Sequence, residues 1–512
     1  MCLDQHSFCV SIQNLYVCKL LYLGATPILK RAQSLQTSET IISKEVLERL
    51  LDVEKLKYCY ECGICTASCP VAELLGKDYN PRALLGKIFL NPKDVLASDA
   101  LWLCAWCYRC YKRCPQALKL PEIFLLMRTI ATEQGYTHPF EKALEKIVKN
   151  IPLPLVTTLV CFHPERAGLD KEKVLEKIEQ MYKKCSKTKK ERMAAKSPEG
   201  KVAVIGSGPA GLTVAYELSR KGCDVTIFEA LPELGGMLSK CIPEYRLPKQ
   251  VLTKEVQAIE DLGVETKTSM TVGKDLNFDD LWNEGYKVIF IGTGAHRSQK
   301  LKIEGGDLKG VIDALDFLWD INSHKKMEIG KNVVVIGGGN VAVDAAKTAL
   351  RLKADEATIL YRRSRGEMPA NPWEVKEAED EGVKIEFLVA PKKILGENEK
   401  VSAIECVRVQ LGELDETGRR KPVPIEGSEF SRETDMVILA IGEVPDLEFL
   451  PKEIELRENG AVWVNPITME TSLKGVFAGG DAVTGPATVI EAIQAGKRAA
   501  ESIENYLKSL GG

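Results

Sequence analysis

The chain has 512 residues, enough for three or more domains, and its 45% hydrophobic and 28% charged content is that of a soluble globular protein. A formal net charge of −3 argues against nucleic acid as the natural partner. The unusual number is sixteen cysteines. Eight of them fall in two runs of identical spacing, which argues for metal clusters in a reducing cytoplasm rather than disulfides.

Residues 1–43 carry little information. Val10–Leu29 is mildly apolar, but Gln13, Asn14 and Lys19 interrupt it, and Asp4 stands where a signal peptide wants a basic residue. Neither a leader nor a spanning helix is expected, and no integral membrane association. A flexible extension is expected instead, with Cys2, Cys9 and Cys18 as unpaired thiols. Ile42–Leu56 reads as an amphipathic helix with Val46, Leu47, Leu50, Leu51 and Val53 on its apolar face.

Cys59, Cys62, Cys65 and Cys69-Pro70 follow, and the pattern returns as Cys104, Cys107, Cys110 and Cys114-Pro115. Each run is C-x2-C-x2-C-x3-C-P, the bacterial ferredoxin pattern for a [4Fe–4S] site, in which the fourth cysteine crosses to the other cluster. The spacing therefore assigns Cys59, Cys62, Cys65 and Cys114 to one cluster, and Cys104, Cys107, Cys110 and Cys69 to its neighbour. Zinc is the alternative, but its closed sites usually use wider paired spacing. Between the runs, Pro81 opens a helix that Asn91-Pro92 stops, and Pro121 opens another that ends near Gly135. The phrases CYECGICTASCP, YNPRALL and LWLCAWCYRCYKRCP, with the Arg128-containing helix, resemble the two-cluster ferredoxin-like component of heterodisulfide reductase over about residues 45–137. The resemblance implies a helical two-cluster electron conduit over 44–137 that docks against another redox protein.

Residues 138–199 read as a linker. Lys171–Lys184 looks helical, and Lys183–Arg192 is basic, either a solvated face or a docking patch for an acidic partner.

Val202–Ile205 is an apolar strand that runs into Gly206, Gly208, Pro209, Ala210 and Gly211, then a helix, then the strand Asp224–Phe228 ending in Glu229. This is a dinucleotide-binding unit: glycines for the turn and for close pyrophosphate approach, helix N–H groups for the phosphates, and Glu229 for a ribose hydroxyl. Gly235–Lys249, GGMLSKCIPEYRLPK, together with GSGPAG, resembles the small subunit of glutamate synthase and its relatives. Those relatives include the NADPH-side domains of dihydropyrimidine dehydrogenase and the transhydrogenase protein that couples NADPH to ferredoxin.

This likeness spans about Lys201–Leu507 and implies FAD. It places Gly235 and Gly236 beside the diphosphate, and Ile242, Tyr245, Arg246 and Leu247 near the isoalloxazine. It also implies that Gly292, Thr293 and Gly294 form a third flavin contact, that Gly480 and Asp481 meet the ribityl–phosphate chain, and that Thr488 and Val489 open a helix toward the flavin. Cys241 departs from the family, which usually has glycine there. It suggests the flavin disulfide reductases, but the C-x4-C partner position is Gly236, so no redox disulfide can form.

Asn332–Ile336 leads into a second glycine turn, Gly337, Gly339, Asn340, Val341 and Ala342, and the next strand ends in Arg362 and Arg363 instead of an acid. An arginine pair there suits a 2′-phosphate, hence NADP(H), with an exposed basic turn as the alternative.

The expected fold is α/β, with two Rossmann-like domains, the NADP domain inserted in the FAD domain, after an α-helical ferredoxin-like 2[4Fe–4S] domain. The expected boundaries are 200–330 and 446–512 for FAD and 331–445 for NAD(P)H. The five histidines form no constellation. No side chain is assigned a catalytic role, because the cofactors carry the chemistry. The expected function is a cytoplasmic NADP(H) oxidoreductase subunit exchanging electrons with ferredoxin or an iron–sulfur or flavin partner subunit, an electron-bifurcating transhydrogenase being one version. A glutamate synthase small subunit and a non-catalytic iron–sulfur assembly module are the alternatives.

Overall fold

A computed structural model describes residues 59–190, 200–415 and 418–510, without the side chains of Phe89 and residues 183–190. The helix expected over Ile42–Leu56 and the thiols Cys2, Cys9 and Cys18 lie outside the described residues, as do the side chains of the basic run from Lys183 to Arg192. The described residues form two compact units, one of residues 59–147 with 162–174, the other of residues 148–161 with 175–190, 200–415 and 418–510.

The smaller unit is helical. Short helices Ile64–Ala67, Pro70–Leu75 and Arg109–Arg113 frame the cysteine runs, and longer ones, Pro81–Leu90 and Leu120–Glu133 (α1), pack behind them. Pro81 takes the first helical position, and the Asn80 side chain caps the helix by accepting from Ala83 N at 3.0 Å. The two cysteine loops share one backbone shape. Glu61 and Trp106, the residues just before Cys62 and Cys107, are both left-handed at φ 51°, and Gly63 and Tyr108, just after those cysteines, are left-handed as well. Cys69 and Cys114 are both extended. Non-glycine residues leave this conformation readily because it costs about 1–2 kcal/mol each. Its recurrence at matching positions marks two copies of one tight loop. Leu101, Trp102, Leu103, Phe124 and Met127 fill the core behind them.

The larger unit holds two parallel five-stranded sheets. The first is built from β1 Lys201–Ile205, β2 Asp224–Phe228, β3 Glu265–Lys267, β4 Tyr286–Ile291 and β15 Val476–Ala478, in the order β15-β4-β1-β2-β3. Helices Pro209–Ser219 (α2) and Lys249–Glu260 (α3) belong to the same segment. The second is built from β6 Val311–Asp313, β7 Asn332–Gly337, β8 Glu356–Tyr361, β9 Lys384–Phe387 and β13 Met436–Ala440, in the order β6-β13-β7-β8-β9. Its helices are Asn340–Arg351 (α4) and Pro372–Asp380 (α5). Both sheets are parallel throughout, and their inner strands β1, β2, β4, β7, β8 and β13 are near-continuous apolar runs buried on both faces, while the edge strands β3, β6 and β9 are shorter, more polar and partly exposed.

The first sheet is closed by a strand from near the chain's end, with the second sheet between its parts in sequence. The crossings into and out of the second sheet pair with each other as a short antiparallel ribbon, β5 Arg297–Ser298 with β14 Glu443–Val444. The second sheet also begins earlier than its glycine turn suggests, because the edge strand β6 pairs with β13. Between β9 and β13 stands an antiparallel sheet of β10 Val389–Glu397, β11 Lys400–Leu414 and β12 Arg420–Glu433. A final helix, α6, spans Val489–Leu510.

Part of the segment expected to be a linker, residues 148–161, is built into the larger unit. Ile151, Leu153, Leu155, Val156 and Leu159 are buried. The short helix Pro154–Thr157 packs on α3, where Leu155 N donates to the buried Glu255 carboxylate.

Candidate functional site

In the smaller unit, Cys59, Cys62, Cys65 and Cys114 line one cavity, whose apolar wall is Leu85, Leu118 and Leu120. The fourth cysteine of the second run thus stands with the first three of the first run. The reciprocal set lies within electrostatic reach of itself: after burial, Cys104, Cys107 and Cys69 raise the Cys110 thiol in that order, and Cys104 raises the Cys69 thiol more than Cys65 does. Burial pushes the Cys69 thiol up to about 12 and raises Cys110 as well. These buried sulfurs become thiolates only when a cationic centre offsets their charge. Among the described residues no set of three or more His, Cys, Asp and Glu side chains closes around a single metal ion. Two groups of four thiols from two crossed loops, one lining an apolar-walled cavity, fit the sulfur-rich demands of iron–sulfur cubes.

The first nucleotide turn lies between β1 and α2. Gly206 is left-handed at φ 94°, and a Cβ on Gly211 would stand 2.0 Å from Gly206 O, so helix and strand pack with no room for a side chain. A Cβ on Gly208 would meet only Gly292 O, at 3.9 Å, which leaves the side facing a diphosphate open. Pro209 and Ala210 start α2, whose first N–H groups carry the positive end of the helix dipole.

Glu229 sits at the end of β2, 6% exposed. Its Oε2 accepts from Ser207 N at 2.9 Å and Ser207 Oγ at 2.5 Å, and its Oε1 accepts from Leu231 N at 2.8 Å. Ser207 Oγ also accepts from Gly235 N at 3.0 Å. The acid read as a ribose acceptor therefore first ties the glycine turn, the strand end and the Gly235–Gly236 pair into one network. Sequence reading missed Ser207, whose partners are far away along the chain.

Gly292 and Thr293 follow β4, and Gly292 N donates to Ile205 O at 2.8 Å, which seats this turn beside the first. The Thr293 hydroxyl is buried with no partner among the described residues, an orphaned group at the place read as a flavin contact. Gly294 has nothing within 4 Å of an added Cβ. Gly480 N-caps the short helix Asp481–Thr484, and Asp481 Oδ1 accepts from Ala487 N at 3.1 Å. Burial pushes the Asp481 carboxyl up to about 7. The Thr488 hydroxyl donates to Glu491 at 2.7 Å ahead of α6, with Val489 as the first helical residue.

Leu247 is buried. Arg246 points its terminal nitrogens at the inserted half: NH1 donates to both oxygens of Asp344, at 2.9 and 2.7 Å, and NH2 reaches Glu374 at 3.4 Å. Its Nε is buried without a partner among the described residues. Cys241 is a free thiol buried among the core residues of the second sheet, and burial pushes it up to about 12.

The second turn runs from Gly337 to Ala342. A Cβ on Gly337 would stand 2.0 Å from Ala440 O, whereas one on Gly339 would meet nothing within 4 Å. Asn340 opens α4, its Oδ1 accepting from Asn371 N at 3.0 Å; Val341 is partly buried and Ala342 fully buried. The arginine pair divides. Arg362 is exposed, while Arg363 is 4% exposed and turned away, donating from Nε to Arg420 O at 2.7 Å and from NH2 to Asp415 at 2.8 Å. Partial burial and the charges of Arg363 and Arg419 lower the Arg362 pKa. Arg419, fifty-seven residues on and in no motif, is the cation that sequence reading missed.

Two parallel nucleotide-binding sheets, one discontinuous and the other inserted within it, define a two-nucleotide flavoprotein oxidoreductase. The chain belongs to the pyridine nucleotide-disulphide oxidoreductase family, whose model matches residues 200–496, and a 4Fe-4S dicluster domain matches residues 55–118. Its cofactors are FAD, NADP and [4Fe–4S] clusters. The NADP(+)-dependent formate dehydrogenase subunit beta of Moorella thermoacetica is 40% identical over 431 residues, 78% of this chain and 60% of that protein. The NADPH-Fe(3+) oxidoreductase subunit beta of Geobacter sulfurreducens is 39% identical over 435 residues, 78% of this chain and 63% of that protein. The chain thus spans about six-tenths of the length of these relatives. The Escherichia coli glutamate synthase [NADPH] small chain is 38% identical over 326 residues, 60% of this chain and 69% of that protein. Among solved structures, Mycobacterium tuberculosis FprA in complex with NADPH shares the fold at TM-score 0.52 and 20% identity, covering 61% of this chain and 85% of that one. Among the described residues no helix is long and apolar enough to cross a membrane.

Proposed function

We propose that this chain is the NADPH-linked electron-transfer subunit of a larger cytoplasmic enzyme. NADPH lies on the second glycine turn and FAD on the first, and the two [4Fe–4S] clusters are held by the crossed sets Cys59, Cys62, Cys65, Cys114 and Cys104, Cys107, Cys110, Cys69. A nicotinamide gives up electrons in pairs and iron–sulfur clusters take them singly, so a flavin held by the first glycine turn, Glu229, Gly235 and Gly236 would supply the conversion between the two. The protein's part is to hold and orient the cofactors, and the 2′-phosphate on the adenosine ribose of NADPH is read by Arg362.

The observation that carries this reading is the union, in one chain, of two nucleotide turns with two crossed fours of cysteine. A partner subunit, ferredoxin or another iron–sulfur or flavin protein, exchanges the electrons that leave the clusters. The relatives named as beta subunits support a multi-subunit setting, and their matches extend beyond the flavin half into the cluster half of the chain. The glutamate synthase reading draws on a match to 60% of the chain, about the share that the flavin half occupies. Affinity purification of the native complex tests this. A co-purifying redox protein that accepts electrons from NADPH through this chain is the expected result; a glutamine amidotransferase partner would move the assignment to the second reading.

A further inference from the structure

Arg128 stands on α1 in the cluster-bearing unit, 2% exposed. Its Nε donates to Leu101 O at 2.9 Å, NH1 to Phe162 O at 2.9 Å and NH2 to Cys104 O at 2.7 Å. The guanidinium carbon lies 5.7 Å from the centre of the Trp102 ring. All three acceptors are neutral carbonyls, and among the described residues no carboxylate forms an ion pair with it. A buried cation with no ion-pair partner is costly, so further compensating negative charge is called for.

The acidic groups that bear on Arg128 are, in order, Cys104, Tyr79 and Glu165. Cys104 is buried, and the buried Tyr79 side chain hydrogen-bonds it. The other cluster set has a more open setting, with Cys62 exposed and Tyr60 beside it 70% exposed. A cube held by four thiolates is anionic, and reduction adds one more negative charge. Its potential follows net charge, hydrogen bonding and exposure. A fixed positive charge in a low-dielectric core acts strongly on that balance.

We infer that Arg128 is a positioning residue that also sets the reduction potential of the cluster held by Cys69, Cys104, Cys107 and Cys110, raising it by fixed charge. The inference rests on the ligand assignment proposed above. The step it governs is a one-electron transfer: the reduced flavin loses one electron, the cluster gains it, and no bond is made or broken at Arg128. Burial lowers the Arg128 pKa from the ordinary arginine value, yet a guanidinium is effectively always protonated in a protein, so its charge is fixed throughout.

The test is an anaerobic redox titration of the full holoprotein followed by EPR, with iron counted, on wild type, Arg128→Met and Arg128→Lys. Wild type without two clusters would break the ligand assignment itself and not this inference. With both clusters present, Arg128→Met, neutral and of similar length, should lower the potential of one cluster and leave the other unchanged. The affected cluster should be the one that Cys69→Ser removes. Arg128→Lys keeps the charge but loses part of the fork, so it should melt at a lower temperature while keeping the wild-type potential. An unchanged potential in Arg128→Met, or an equal shift of both clusters, overturns the inference. Should Arg128→Met fail to assemble, Arg128→Lys decides alone: a lowered potential despite the retained charge overturns it.

Discussion

Arg246 and Asp344 meet at 2.7 Å, one on the segment after the paired glycines and the other on α4, so the two nucleotide-binding halves are joined by a largely buried ion pair. Glu374 adds a second acceptor at 3.4 Å. Tyr245 donates to the same Asp344 at 3.3 Å, and the Arg351 guanidinium lies 4.0 Å from the centre of its ring. Asp344 and Glu374 together hold Arg246 firmly charged.

Breaking this pair from one side leaves a buried charge behind, which costs about 3–5 kcal/mol. Glu374 retains part of the compensation, so Asp344→Asn should lose on the order of 3 kcal/mol in denaturant unfolding of the larger unit. The double change Arg246→Met with Asp344→Leu removes both charges and should recover much of that loss. A double variant as unstable as the sum of the two singles would show that the pair is not the joint.

Asp481 carries a pH dependence of unusual sign. Its folded-state pKa is pushed up to about 7 by burial, from an ordinary 3.8. Between about pH 4 and 7 the folded flavin-free protein therefore holds a proton that the unfolded chain has released. Its contribution to stability falls as pH rises through that window and levels off above it. Urea unfolding of flavin-free protein at pH 5 and pH 8 should show this fall, and Asp481→Asn should flatten it. Asp481→Ala should also weaken FAD retention on gel filtration while leaving the iron content unchanged.

The arginine pair makes separable predictions. Arg362→Ala should raise the Michaelis constant for NADPH by about one to two decades, because charge-assisted hydrogen bonds contribute about 1.5–3 kcal/mol. The value for NADH should change little. Arg363→Ala should act through the chain, freeing the connection between β11 and β12 at Asp415 and Arg420, and lowering thermal stability as well as NADPH affinity. Steady-state diaphorase assays with both nucleotides, alongside thermal melts, distinguish the two. Wild type that prefers NADH would contradict both.

Cys69→Ser probes the crossed ligation. It should damage the cluster built mainly from Cys104, Cys107 and Cys110, since the fourth cysteine of each run crosses to the other cluster and Cys104 acts on Cys69 more strongly than Cys65 does. Iron counting and EPR read the outcome. Selective loss of the cluster nearest Cys59 would refute the crossing.

Local, strictly spaced signals carried most of the sequence reading. The two cysteine runs, the turns at Gly206 and Gly337 and the apolar parallel strands are all short-range patterns with a steric or ligand-chemical cause. Contacts without local spacing stayed hidden. Nothing near Glu229 announces Ser207 as its donor, and nothing near Arg363 announces Asp415. The edge strand Val311–Asp313 is three residues of unremarkable composition, and it belongs to the second sheet only through β13. Ile151–Leu159 read as a connector because prolines and threonines break its periodicity, yet its side chains are buried. Arg246 illustrates the same limit: a motif placed it near the flavin, while its ion pairs lie on α4 and α5.

Anaerobic titration of the full, cofactor-replete protein with NADPH, followed at once by flavin absorbance and EPR, is the most direct measurement of all. Electrons should first bleach the flavin and then appear in both [4Fe–4S] clusters, with NADH far less effective at equal concentration. A flavin that NADPH reduces while both clusters stay oxidised, although each can be reduced by dithionite, would contradict an electron path from nucleotide through flavin to the crossed cysteine sets.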